Sequence, residues 1–231
     1  MKKVILMLTV LLSAVATTAF GQLPVGHFAV TPRAGLSIAN LTNNELYTAA
    51  GALNSKNKSG FVAGADVEYQ LLKPLSLSLG AYFTQQGASY DDYEVKAQDP
   101  KYDYEGVHGQ SVDLQYINVP LLANLYVGRG LALKAGVQAG FALSAKEKSE
   151  TTLFNRDELG RYEYAETKEV NQDLSCRNVS FSIPVGISYE WMGIMLDARY
   201  NIGLTNIYSK KVEYESKNKW LTFTLGYKFE L

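Results

Sequence analysis

Period-two alternation repeated eight times, connections that run alternately short and long, and aromatics gathered at segment ends predict an all-β chain. The fold class they define is an eight-stranded antiparallel up-and-down transmembrane β-barrel, with short periplasmic turns and long extracellular loops. Successive side chains of a strand point to opposite faces, so each alternating stretch carries one apolar and one polar face. A helix would scatter both sets around its circumference.

The chain opens with Lys2 and Lys3, an apolar run from Val4 to about Val15, and small residues ending Ala19-Phe20-Gly21. Charge, apolar core and small-residue site in that order read as a secretory signal peptide. Residues 1–21 are therefore expected to be cleaved, leaving 22–231 as one barrel domain in the outer membrane. The apolar run is shorter than the roughly 20 residues of a spanning helix. Without Lys2 and Lys3 the 22 basic residues fall to 20 against 23 acidic ones, a net charge of −3. No basic face is evident, which argues against nucleic acid as a partner. Cys176 is the one cysteine, so an internal disulfide is excluded.

The eight strands follow in order. Val30, Pro32, Ala34, Leu36 and Ile38 oppose Thr31, Arg33, Gly35 and Ser37. Phe61 to Leu71 oppose Gly64, Asp66, Glu68 and Gln70, and Leu75 to Phe83 oppose Ser76, Ser78, Gly80 and Tyr82. Ile117 to Leu125 and Leu131 to Leu143 form the middle pair, the latter opposed by Lys134 and Gln138. Val179 to Trp191 alternate with Ser180, Ser182, Pro184, Gly186, Ser188 and Glu190. Met192 to Leu204 oppose Asp197, Arg199 and Asn201, and Leu221 to Leu231 oppose Thr222, Thr224, Gly226, Lys228 and Glu230. Short turns fall near Leu72–Pro74, Gly128–Gly130 and Trp191–Gly193; long connections fall at about 40–58, 88–110, 145–177 and 205–218.

A soluble sandwich or lipocalin-type barrel would also alternate, with the apolar face inward. Two features favour the membrane barrel. Tyr69, Tyr126, Tyr189, Trp191, Tyr227 and Phe229 sit at strand ends, as an interfacial girdle requires. The polar face is rich in Gly and Ser, which suit the crowded interior of a narrow barrel.

Three stretches resemble the PorT-like family of outer-membrane β-barrels. They are the opening Pro32-Arg33-Ala34-Gly35-Leu36-Ser37-Ile38-Ala39-Asn40, the mid-barrel Tyr116-Ile117-Asn118-Val119-Pro120-Leu121-Leu122, and the closing Thr224-Leu225-Gly226-Tyr227-Lys228-Phe229-Glu230-Leu231. The last is similar to the C-terminal signal read by the barrel-assembly machinery, carried here by Gly226, Phe229 and Leu231. Asn118 and Asn124 depart from the family pattern, which carries Glu and often Lys at those positions. The resemblance implies the fold, outer-membrane lipid and the assembly machinery as partners, and a link to protein secretion.

The lumen face is expected to hold Arg33, Lys134, Arg199 and Lys228 against Asp66, Glu68, Asp197 and Glu230. Charges inside a narrow barrel are costly unless paired, so these predict an internal network plugging the lumen; a selective pore is the alternative. An enzymatic reading needs His108 with Ser111 and Asp113, a weak constellation for a lipid-modifying hydrolase. Two histidines and one cysteine, far apart in sequence, give no metal spacing, and no cofactor is expected. Tyr90, Tyr93, Tyr102, Tyr104, Tyr162, Tyr164 and Tyr214 recur among acidic residues in three long connections. They read as a contact surface for a protein partner, or as strands prolonged beyond the bilayer, where Tyr has strand propensity. The sequence thus predicts a non-enzymatic scaffold or docking protein, with a narrow channel and a lipid-modifying enzyme as rivals.

Overall fold

The computed structural model describes residues 23–42, 46–48, 51–128, 130–208 and 216–231; the expected signal peptide and Tyr214 lie outside them. The described chain is built from strands and turns: β1 (Phe28–Leu41), β2 (Leu46–Thr48), β3 (Gly51–Leu53), β4 (Lys56–Leu72), β5 (Leu75–Ser89), β6 (Tyr93–Lys96), β7 (Tyr104–Gly128), β8 (Leu131–Arg156), β9 (Tyr162–Asp173), β10 (Val179–Trp191), β11 (Ile194–Asn206), β12 (Lys217–Tyr227) and β13 (Phe229–Glu230). Eight of them close an antiparallel ring in the order β1, β4, β5, β7, β8, β10, β11, β12. The ring shuts where β12 returns to β1, with Arg33 opposite Gly226 and Leu41 opposite Asn218. Closure leaves no unpaired edge around the wall, the condition for strands to cross a bilayer.

The tight turns sit at one end. Lys73 and Pro74 join β4 to β5. Met192 (φ 51°) and Gly193 (φ 81°) join β10 to β11, both left-handed, the geometry whose twist matches a hairpin. A side chain at Gly226 would strike Pro32 and Arg33 across the seam, so glycine is required there by close approach.

Exposure decides which face is outside. Leu36 is 62% exposed and Phe181 57%, whereas Arg33 and Asp66 are 5% and 2% exposed. More polar than apolar side chains are buried among the described residues, the reverse of a water-soluble core. The apolar face therefore looks outward, and the soluble-barrel alternative fails. Phe28 packs on Tyr69 at 4.7 Å and Tyr227 on Phe229 at 4.9 Å, at the short-turn end. Tyr126, expected in that girdle, turns into the lumen instead, because its position carries the inward parity of Asn118 and Asn124.

At the other end the strands run far past the apolar belt. β7 has 25 residues and β8 has 26, against the roughly 9–11 a spanning strand needs. The expected long connections at 88–110 and 145–177 are thus largely strand, and their tyrosines continue the ladder. β6, β7, β8 and β9 form a four-stranded sheet that projects from the ring.

Candidate functional site

Alternation along β1, β4, β8, β10, β11 and the C-terminal end of the chain aims two groups of charges into the lumen. In the first, the Asp197 carboxylate forms ion pairs with Arg33 Nη1 at 2.8 Å, Lys134 Nζ at 2.9 Å and Arg199 Nε at 2.7 Å. Asp66 pairs with Arg33 and stands 3.5 Å from Arg199, whose guanidinium also lies 5.4 Å from the centre of the Tyr82 ring. Three cations meet two carboxylates here. The second group lies nearer the tight turns and has the opposite imbalance. Lys228 Nζ contacts Glu190 at 2.6 Å, Glu68 at 3.3 Å and the Tyr126 hydroxyl at 3.0 Å. Tyr126 and Ser76 donate to Glu68, the latter at 2.6 Å, and Asn124 donates to Ser76 and Ser78. Together the groups hold four cations and four carboxylates, and their members come from opposite ends of the chain.

Seven of the eight sequence-predicted lumen charges lie in these two groups. Glu230 does not. It shares the inward parity of Lys228 but lies past the covered part of the wall, exposed at the rim beside Ala29. Glu190 takes the place expected for it. Glu190 was legible as a polar-face residue of its strand, but choosing between the two glutamates needs the stagger of neighbouring strands. Asn118, which departs from the PorT-like pattern, donates to Thr84 at 3.1 Å, so a neutral amide finds a neutral partner.

Against the first group lies a cavity of about 20 Å³ lined by Arg33, Tyr82, Asn118, Asp197, Arg199 and Trp220, room for about one water. Above it the lumen turns apolar. Leu41, Ala88, Val112, Leu114, Tyr116 and Ile207 form a buried cluster, with Tyr90, Ala142, Leu174, Cys176 and Tyr208 packed against it. Ion pairs thus occupy the middle of the interior, and an apolar cluster lies at its long-loop end. Burial raises the Cys176 thiol above its ordinary value, which keeps it protonated.

The projecting sheet gathers some of the predicted tyrosines. Phe154 is 3% exposed, stacks on Tyr104 at 5.7 Å and meets the edge of Tyr162 at 4.9 Å. Arg156 lies over Tyr104, Phe154 and Tyr162 at 4.7, 5.6 and 5.4 Å, and is held by Glu94 at 2.5 Å. Tyr93 is half-buried on β6, Tyr102 is buried with Lys101 5.0 Å from its ring, and Tyr90 joins the apolar cluster. Tyr164 lies on β9. Phe154 and Arg156 were not singled out from the sequence, although they flank the β8–β9 turn that brings the rings together.

The residues of the enzymatic reading do not converge. His108 Nδ1 lies 3.2 Å from Asp92, and the Gly109 amide bonds the same carboxylate at 3.0 Å. The Gly109 amide, then His108, holds the Asp92 carboxyl below the usual carboxylate range. Asp113 is engaged by Lys58 and, at 2.9 Å, by Lys148. Partial burial works to raise its carboxyl, but the two lysines outweigh that and hold it below its ordinary value.

The description Outer membrane protein beta-barrel domain matches residues 20–209. The chain belongs to this family of outer-membrane β-barrels. Among solved structures, this family member is similar to the attachment invasion locus protein Ail of Yersinia pestis in complex with the heparin analogue sucrose octasulfate. That likeness has 15% identity, covers 89% of this chain and 100% of that one, and has a TM-score of 0.44. Neisserial surface protein A is similar at 14% identity over 87% and 97% of the two chains, with a TM-score of 0.40. A de novo designed transmembrane β-barrel is similar at 12% identity over 90% and 99%, with a TM-score of 0.34. No curated protein matches the outer-membrane barrel described here.

Proposed function

We propose that this barrel is a non-enzymatic scaffold that holds a docking sheet above the outer surface of the cell, the long-loop end facing outward. The observation that carries the reading is the set of paired charges and apolar side chains that line the lumen. Two ion-pair groups and an apolar cluster occupy the lumen around a cavity of about 20 Å³, while the two longest strands cross the belt and continue well past it. A narrow channel needs a continuous wet path, and the separate partners of His108 and Asp113 disfavour a hydrolase. Outer-membrane lipid is the solvent of the belt. The assembly machinery reads Gly226, Phe229 and Leu231, of which Phe229 and Leu231 are exposed. In keeping with the PorT-like resemblance of the opening, middle and closing strands, the system served is a secretion or envelope assembly.

Two measurements test this. The purified barrel in planar bilayers is expected to give no steady conductance. On intact cells, a photo-crosslinking residue in place of Tyr162 is expected to trap a discrete adduct. Steady conductance without an adduct would replace the docking reading by a channel.

A further inference from the structure

The sheet that projects from the barrel ends on one side at β9. Its 12 residues pair with β8 from Arg156–Tyr162 to Lys146–Asp173, and among the described residues β8 is the one strand paired to it. The opposite edge, β6, has 4 residues. A strand pairs on two sides, so β9 presents the backbone amides and carbonyls of its outer side along most of its length. Such an edge is a template for another extended chain.

The charges on β9 select what that chain can be. Glu163, Glu166, Glu169 and Asp173 stand against Lys168, which Glu166 already holds at 3.1 Å. Glu169 lies directly across from Glu150 on β8, and both are exposed. Like charges in a directly opposed cross-strand pair repel, and a cation placed between them is favoured; on its other side Glu150 stands opposite His108 of β7. Two copies of β9 would bring negative edges together, which disfavours self-pairing.

Resting on the docking reading above, we propose that β9 takes a lysine- or arginine-bearing extended segment of another protein as an added strand. Backbone hydrogen bonds along β9 supply the register-independent part of the binding. The Glu150–Glu169 pair receives a basic side chain of the incoming strand and supplies its selectivity.

The test uses the full barrel in a zwitterionic detergent and a labelled 12-residue peptide alternating lysine with threonine, followed by fluorescence anisotropy. A second peptide has the same sequence with every backbone amide N-methylated, which keeps the charge and removes the donors of both edges. The first peptide is expected to bind, and the N-methylated one at least tenfold more weakly. The double variant Glu150→Gln, Glu169→Gln, checked for unchanged heat-modifiable mobility, is expected to lose at least tenfold. Equal binding of the two peptides reduces the effect to charge attraction and overturns the proposal, with no variant needed. Absence of binding also overturns it, as does a β9-dependent dimer of the barrel. A discrete adduct from position 162 with no peptide binding would sink the edge while leaving the docking reading standing.

Discussion

Within the apolar belt, β7 turns Ile117, Val119 and Leu121 outward and Asn118 and Asn124 inward; further along the same strand the inward residues are Leu114 and Val112, and the outward ones Gln115 and Asp113. Side-chain parity persists while polarity reverses. Other strands change over at the same level: Ile38 gives way to Asn40 outside β1 as Ser37 gives way to Leu41 inside, and Phe83 gives way to Gln85 outside β5. The solvent explains it. In lipid the outer face must be apolar and the narrow lumen is left to paired polar groups; in water the hydrophobic effect buries apolar groups inward again. One ring of strands thus carries two cores of opposite kind, and the changeover locates the membrane boundary.

The largest test of that contrast is in the ion-pair core. Asp197→Ala leaves Arg33, Lys134 and Arg199 sharing one carboxylate, and is expected to destabilise the barrel by about 3–5 kcal/mol in urea-dependent gel mobility. Adding Lys134→Met should recover part of the loss, since it removes a cation that has lost its partner. Leu114→Ala probes the apolar cluster, where the cost is expected at about 2–5 kcal/mol by the same assay, with no gain from a charge-removing second variant. The boundary itself is sharpened by a lysine scan outside β7. Val119→Lys should cost about 2–4 kcal/mol and Gln115→Lys about 0–1 kcal/mol; equal costs would erase the boundary. The smallest effect is a titration. Asp113 is held ionised by Lys58 and Lys148, so its contribution is present above the ordinary carboxylate value and lost as pH falls through the lowered one. Its carboxyl carbon in NMR should titrate below the ordinary aspartate midpoint, and Lys58→Met should move it upward.

Alternation made the ring legible. Strand number, turn positions and seven lumen charges all follow from a period of two. The rest depended on neighbours in space. The projecting strands of 104–116 and 144–156 fall largely in segments that the pattern assigns to long connections, and the reading of their tyrosines as strands prolonged beyond the bilayer anticipates them. The apolar cluster was hidden because each face was read with a single polarity, and Leu114 and Val112 break that rule just where lipid ends. Tyr126 and Glu230 were misplaced for a related reason: depth along the barrel is set by the stagger between strands, which one strand's pattern does not contain.

The seam between β1 and β12 fixes the order of events during assembly. Residue 33 closes on residue 226, and the Arg33–Asp197 contact spans 164 positions, so the contacts that shut the wall have very high sequence separation. Such contacts form late and slowly. Until the last strand arrives, β1 and β11 each present a bare edge that lipid cannot satisfy, and Lys228 is missing from Glu68 and Glu190. A partly built wall has no stable resting place in the bilayer, so insertion and closure are expected to be a single cooperative step.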